Sequence, residues 1–531
     1  MKIENKKLEQ ILGESKKKNR FQNRKYMMHK YWGKKPAKEL RELILNYSNE
    51  GDLLLDPFAG YGGFSSEAIL TNRNVISNDL NPAANFINKC LLLLDIDIEK
   101  LEQFYQKIEN ESREIRTYWY EFEYKGEKAE VISALRNEKG NVIKLKISIA
   151  SERSLKEISI SEDETKLFAE KEKDYVIEEW YPTHRLILNS RISAKKGMTV
   201  DDLFDTRSLS SHAKLLSLIN ELPDSNEKDL LLLAFTSNVA NCSKLVPPIR
   251  SRGEMAPGAW MTGFYIGETY IENNVFHYFS NRFKKVLAGK EELLDQINYT
   301  SGSPSYEVTN YDAKNLSIES QTIDFVFTDF PYGDTVPYFE QSIIWNSWLD
   351  FPVQYEEEIV ISDSKERNKN IDAFGNDIKK AVDEIYRVLK PNKYFIFTYH
   401  SLSGPEWLSI TNSLIEAGFK IEEAEMLIQK TFTPRQLNNN RTIKGDMIVV
   451  CKKNSIKEKA NYLELEEEDI YIQKIFIDIL KTGMYETNDI IINFLKIIFT
   501  ERLVLSKLNI FKELNKIAEY DGKGWIIDGE L

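Results

Sequence analysis

Cysteine is nearly absent: the 531 residues contain 3, Cys90, Cys242 and Cys451, and no two form a CxxC pair. Neither a disulfide framework nor a cysteine-built zinc site follows, and a reducing compartment fits. Long apolar runs are missing as well. Cys90 to Leu94 is typical of the longest, far short of the ~20 residues of a membrane span. No apolar signal core opens the chain. The third absence is an excess of positive charge. With a formal net charge of -12 the chain has no global field to draw in nucleic acid, so any such contact must come from local patches. At 42% hydrophobic and 29% charged the composition excludes general disorder. The expectation is a soluble cytoplasmic protein without membrane contact, built as one large domain with insertions or as two or three domains.

Local basic charge is present, however. Positions 16 to 35 hold nine Lys or Arg (Lys16, Lys17, Lys18, Arg20, Arg24, Lys25, Lys30, Lys34 and Lys35) and no acid. Such an arm either lies in solvent or meets phosphate, and charge alone does not separate the two. Aromatics interrupt it at His29-Lys-Tyr-Trp-Gly-Lys-Lys-Pro36, and apolar spacing through Leu40, Leu43, Ile44 and Tyr47 then predicts a helix with one buried face. The run Leu53-Leu-Leu-Asp-Pro-Phe-Ala-Gly-Tyr-Gly-Gly63 reads as a buried strand entering a glycine turn, followed by a helix from Phe64 to Thr71. Glycines there let backbone approach a ligand at a helix N-terminus. A second strand, Asn74 to Asp79, ends in an acid placed to accept hydrogen bonds from a ribose. Asn81-Pro82 opens the next helix, reaching Leu93. The turn lacks GxGxxG spacing, which argues against a nicotinamide cofactor.

From 95 to 200 the character changes. Alternating stretches at Tyr118–Tyr124, Val142–Ser148 and Asp174–Trp180, with a turn at Lys139-Gly-Asn141, predict a small antiparallel insert. From 201 to 300 the pattern is helical, broken by Pro247-Pro-Ile-Arg-Ser-Arg-Gly-Glu-Met-Ala-Pro-Gly-Ala-Trp260, a loop that either reads DNA or crosses the surface. Lys34, Lys35, Arg250 and Arg252 are the candidate nucleic-acid contacts. Strands resume at Tyr306–Asp312, Ile323–Asp329 and Asn392–His400, then Lys420–Leu427 and Asp446–Lys452. The reading is one doubly wound α/β domain, 1–94 plus 301–454, interrupted after its second helix and followed by a helical tail, 455–531. Strands one to four end in Asp56, Asp79, Asp312 and Asp329, and in an open α/β sheet those ends share one crevice.

Two of these loops carry a family resemblance. Asp329-Phe330-Pro331-Tyr332 resembles the Asp-Pro-Pro-Tyr signature of amino-group DNA methyltransferases, and Asp56-Pro57-Phe58-Ala-Gly60-Tyr-Gly62 resembles their Asp-Pro-Phe-x-Gly-x-Gly cofactor loop. The chain is similar to S-adenosylmethionine-dependent enzymes of adenine-N6 type, in a subgroup with a long insert before the third strand. The resemblance covers His29–Ala84, Leu203–Leu215 and Tyr306–Lys452. It implies a Rossmann-like seven-stranded methyltransferase sheet. By it, His29, Tyr31, Trp32 and Pro36 close over the methionine end of the cofactor; Asp56, Pro57, Phe58, Gly60 and Gly62 form its loop; Asp79 holds its ribose and Asp312 its adenine. Asp329 and the Phe330 carbonyl take the hydrogens of the target amine, within Asp329-Phe330-Pro331-Tyr332, and Tyr332 stacks on a base flipped from double-stranded DNA. No metal is called for. Many such enzymes serve restriction or phage defence, so a nuclease or other defence-system subunit is an implied partner. Two departures stand out: Phe330 replaces a proline, and residues 101 to 200 hold no cysteine where related inserts carry a zinc ribbon. The alternatives are cytosine N4, guanine N2 in RNA, whose enzymes share Asp-x-Pro-Tyr-Gly, or a catalytically silent cofactor- or DNA-binding subunit.

Overall fold

The computed structural model describes residues 8, 23–298, 302–400, 404–427, 446–506, 509–522 and 524–527. Lys16, Lys17, Lys18 and Arg20 of the basic stretch, and the connection between the last two strands of the main sheet, lie outside them. That sheet is built from β1 (Leu53–Asp56), β2 (Asn74–Asn78), β8 (Tyr306–Thr309), β9 (Ile323–Asp329), β10 (Leu389–Tyr399), β11 (Lys420–Leu427) and β12 (Asp446–Lys452). Strands β3 to β7 belong to the insert.

The spatial order is β11-β12-β10-β9-β1-β2-β8. Only β12 runs antiparallel to its neighbours, and the other four pairings are parallel. The chain winds outward from β1 through β2 to β8, then restarts beside β1 at β9 and winds the other way. Such a reversal opens a crevice at the carboxyl ends of β1 and β9. The apolar runs follow from burial on both faces. In β9, Phe325 and Phe327 pack on one side with Leu40, Ile44, Phe64 and Ile69 of the helices Ala37–Tyr47 and Gly63–Leu70. Val326, one residue out of phase, faces the other side with Phe395, Phe397 and the helix Ile371–Val388. The C-terminal helices Leu465–Lys481 and Thr487–Glu501 join that second layer through Phe476 and Phe494, stacked 4.6 Å apart.

The insert corrects three expectations. It opens with two helices, Ile98–Glu111 and Arg113–Tyr120, because Leu101, Ile108, Ile115 and Trp119 recur at helical spacing and bury one face. Tyr118 to Tyr120 therefore end a helix, and only Glu121–Tyr124 (β3) is strand. Asp174–Trp180 is not strand either: a helix capped by Ser161 runs from Glu162 to Asp174, and the chain after it lacks regular structure. The third correction is β7 (Thr269–Asn273), inside the stretch read as helical. It pairs with β4 (Glu127–Asn137), which also pairs with β3 and with β5 (Val142–Ile149); β6 (Lys156–Ser159) lies on the far edge. Glu272 of β7, 1% exposed, accepts from Arg207 at 2.8 and 2.6 Å and from Arg136. The β-rich and helical parts of the insert are thus locked together through buried charge.

Candidate active site

The glycine turn is assembled by its neighbours. Asn78 at the end of β2 donates to the carbonyls of Pro57 (3.1 Å) and Tyr311 (3.0 Å), and accepts from Thr309 and from Tyr311 N–H, so one amide ties the loops after β1, β2 and β8 together. Asp79 then takes the Gly60 N–H on Oδ2 and the Asn81 N–H on Oδ1, both at 2.8 Å. Gly60 and Gly62 have φ of +50° and +83°. A Cβ on Gly60 would lie 3.0 Å from the Tyr31 ring, and one on Gly62 would collide with the Asn88 amide. Gly62→Ala is therefore expected to cost about 1 to 3 kcal/mol through strain at a left-handed position and to weaken ligand binding in the crevice. Thermal unfolding checks it, and adding Asn88→Ala should return part of the loss.

These loops enclose a cavity of about 310 Å³, within the size range of small-molecule sites. Of the expected residues, Tyr31, Trp32, Pro36, Asp56, Pro57, Phe58, Gly60, Asp79, Asp312, Asp329 and Pro331 line it. Gly62 supports the turn from behind. His29 does not reach the wall: its ring, 3% exposed, contacts Thr236 Oγ1 at 3.2 Å and meets Trp345 edge-on at 4.8 Å. Burial pushes it down to about 3, so it is a neutral core histidine. Trp345 and Trp348 are likewise core aromatics, 2% and 1% exposed.

The stretch Asp329 to Tyr332 divides. Asp329 ends β9 and faces the cavity, whereas Phe330 turns into the core, fully buried, 5.3 Å from Phe397 and 5.8 Å from Phe58. The Phe330 N–H donates to Thr398 at 3.2 Å. Packing thus supplies the stiffness that a proline there would give. Tyr332 is not in the cavity wall; its hydroxyl donates to Asp329 Oδ2 at 2.7 Å and its ring lies 6.3 Å from Tyr399. Asp334, two residues further on, lies outside the cavity wall. Arg191 of the insert holds its carboxylate at 2.8 Å and its carbonyl at 3.0 Å.

Lys34 and Lys35 correct the phosphate expectation, because both ammonium groups are engaged inside the protein. Lys34 donates to the carbonyls of Tyr26 (2.8 Å) and His29 (2.6 Å) over the Tyr61 ring, and burial pushes it down to about 7. Lys35 contacts Asp329, Asp446 and Tyr332. Arg250 and Arg252 sit on an exposed single turn.

Sequence reasoning missed several wall residues: Tyr26, Tyr61, Asn81, Tyr338 and the acids Glu357 and Glu358. Tyr338 stacks on Tyr31 at 6.2 Å. Glu358, 6% exposed, accepts from Phe339 N–H at 3.2 Å and from Arg367; burial and then Glu340 push it up to about 8. In sequence Tyr355-Glu-Glu-Glu358 reads only as a solvated acidic run. The wall holds six acids, Asp56, Asp79, Asp312, Asp329, Glu357 and Glu358, against two lysines that are already engaged. Trp32 of the wall has its Nε1 buried without a hydrogen-bond partner among the described residues.

A doubly wound seven-stranded sheet with a glycine loop, a strand-end acid and a second acidic loop meeting at one cavity defines a Rossmann-like α/β domain. Residues 2–89 match a family model described as DNA methylase, covering the N-terminal segment and glycine loop but not Asp329 to Tyr332. That match and the fold together support an amino-group DNA methyltransferase. No curated protein matches the chain. Among solved structures, an rRNA methyltransferase, aviRa, from Streptomyces viridochromogenes is 10% identical with a TM-score of 0.30, covering 81% of this chain and 93% of its own. An S-adenosylmethionine-dependent methyltransferase from Methanosarcina mazei is also 10% identical with a TM-score of 0.17, covering 31% and 76%. Superpositions this loose do not bear on the site. Among the described residues no helix is long and apolar enough to cross a membrane, and no group of His, Cys, Asp or Glu is arranged to hold a metal ion.

Proposed function

We propose that the protein transfers a methyl group from S-adenosylmethionine to the exocyclic N6 of an adenine in DNA. The observation that carries this reading is Asp329, at the end of β9, opening on the same cavity as Gly60 and Asp79. The cavity fits the cofactor on its own chemistry: an acid-rich wall suits a ligand carrying a sulfonium and an ammonium. Asp79 holds the ribose hydroxyls, Asp312 the adenine amino group, and Tyr31, Trp32 and Pro36 cover the methionine end.

When bound, the cofactor supplies an electrophilic methyl group on sulfur. The residues act on the amine. Its lone pair is delocalised into the ring, so Asp329 and the Phe330 carbonyl would accept hydrogen bonds from its two N–H groups and turn the lone pair out of the ring plane, with Asp329 placed to take the one proton the nitrogen loses on methylation. Positioning is the main catalytic device. Tyr332 leaves Asp329 and turns onto the face of the extruded base.

The test is nucleoside mass spectrometry of DNA from a methylation-free host expressing the protein. N6-methyladenine is the expected product; N4-methylcytosine instead, or label entering RNA and not duplex DNA, would reassign the substrate. Cofactor affinity is expected to depend on pH. Burial pushes Asp79 up to about 6, and ribose hydroxyls donate best to the ionised carboxylate. Affinity should therefore rise as pH increases through about 6 and flatten in Asp79→Asn, as read by calorimetry between pH 5 and 8.

A further inference from the structure

We propose that Lys35 is a positioning residue of the methyl-transfer site, bridging Asp329 and Asp446 so that Asp329 Oδ2 is presented, ionised, to the target amine. The proposal rests on the amino-methyltransferase reading of Asp329. Lys35 comes from the segment before the first core helix, and its side chain is 5% exposed. Its Nζ lies 3.0 Å from Asp329 Oδ1 and 2.7 Å from Asp446 Oδ2, and donates to Tyr332 Oη at 2.6 Å. An ammonium has three hydrogens, and these three partners use them all.

The two oxygens of Asp329 are thereby made unequal. Oδ1 carries Lys35 and the Thr398 hydroxyl at 2.7 Å, whereas among the described residues Oδ2 carries the Tyr332 hydroxyl alone. Oδ2 also has room beside it. Gly33, at φ +68°, stands where a Cβ would come 3.2 Å from Oδ2 and 3.4 Å from Tyr332 Oη. One short stretch thus contributes space at one oxygen and charge at the other. Once Tyr332 turns onto a base, Oδ2 is the acceptor left for the amine. A fixed, charge-neutralised carboxylate costs no reorganisation when the amine arrives.

The charged surroundings give opposite signs for two substitutions. Burial pushes Asp329 up, Lys35 draws it down and Asp446 pushes it up again. Behind Asp446 lies His400, with Nδ1 3.5 Å away; Asp56 faces Asp329 from β1, and Tyr338 and Tyr332 from the following loop and helix. Without Lys35, Asp329 should hold its proton to higher pH. Without the Asp446 charge it should release it at lower pH.

The experiment is the pH profile of kcat/KM for methyl transfer to duplex DNA by the full chain, with cofactor affinity measured separately by calorimetry. Lys35→Gln is expected to lose about 10²-fold at pH 7, the scale of a misplaced reacting group, and to move the acid limb up by about one unit. Asp446→Asn should move it down, and Lys35→Arg should keep it near wild type. A Lys35→Gln enzyme that is slower with an unmoved acid limb, or an Asp446→Asn limb that stays in place, overturns the proposal. If Lys35→Gln does not fold, the Asp446→Asn limb decides. Should the wild type methylate no DNA, the function reading fails on its own, and Lys35 is then judged by a ¹³C carboxyl titration assigned with Asp329→Asn. An Asp329 titration identical in wild type and Lys35→Arg but lower in Asp446→Asn supports the bridge; one indifferent to Asp446 overturns it.

Discussion

Asp329→Ala is expected to lower methyl transfer by about 10³-fold or more, the scale seen when a preorganised hydrogen-bonding group is removed from a reacting centre, while cofactor affinity changes little. The substitution deletes the acceptor that meets the amine and also the shared partner of Lys35, Thr398 and Tyr332. Asp329→Asn separates the two effects. It preserves the shape and one acceptor oxygen but removes the charge, and its amide nitrogen donates where Lys35 or Thr398 needs an acceptor. Its rate should fall nearly as far as that of the alanine variant. Tritium transfer from labelled cofactor into duplex DNA, with calorimetry for cofactor binding, makes the comparison; wild-type turnover in Asp329→Ala would remove the basis of the functional reading.

The second large effect is on stability and sits far from the chemistry. Glu272→Leu is expected to destabilise the insert by about 3 to 5 kcal/mol, because removing one member of a buried ionic cluster leaves its partners charged and uncompensated. Arg207, 1% exposed, has Glu272 as its ion-pair partner, while Arg136 keeps Asp205 at 3.5 Å and Glu172. Replacing Arg207 and Glu272 together with apolar residues of similar volume, which leaves Arg136 with Asp205 and Glu172, should cost much less. The readout is the first thermal transition, expected to fall by ~10 °C in Glu272→Leu, since unfolding of so large a chain is not a single two-state step. Acid should mimic the substitution. Burial raises Glu272, but Arg136 and Arg207 overcome this and hold it at about 2, below its ordinary 4.5. A carboxylate depressed on folding contributes stability above its unfolded value, and that contribution disappears as pH falls from about 4.5 toward 2. Glu272→Leu should therefore show a smaller loss of stability than wild type over that interval.

The coupling of the insert to the loop after β9 places these two results in one molecule. Asn189, Ser190 and Arg191 contact Glu340, Asp363 and Asp334, so a loosened insert reaches the loop that carries Tyr332. Glu272→Leu should consequently show reduced transfer below its melting temperature as well.

Much of the site was legible because its parts are local. A run such as Leu53-Leu-Leu-Asp56 ends in an acid at a sheet edge wherever it is buried on both faces, and a glycine turn followed by Asp79 has one geometry in a doubly wound unit. The succession of strands along the chain and their terminal acids follow from periodicity and turn chemistry in the amino-acid sequence, and the two signature loops from their resemblance to a known family. What tertiary structure decided is where long side chains end. Lys35 lies in a basic stretch that sequence assigns to solvent or phosphate, yet its four-carbon stem carries the ammonium to Asp329 and Asp446. His29 is drawn into the core by Trp345 and Thr236, and Glu358 is buried by a loop whose composition reads as exposed. Strand β7 joined a sheet that sequence separated from it, because strand pairing depends on partners distant along the chain. Short-range patterns set the elements; the destination of a charged side chain depends on which distant carboxylates the fold has already buried, since an ion leaves water only for a partner.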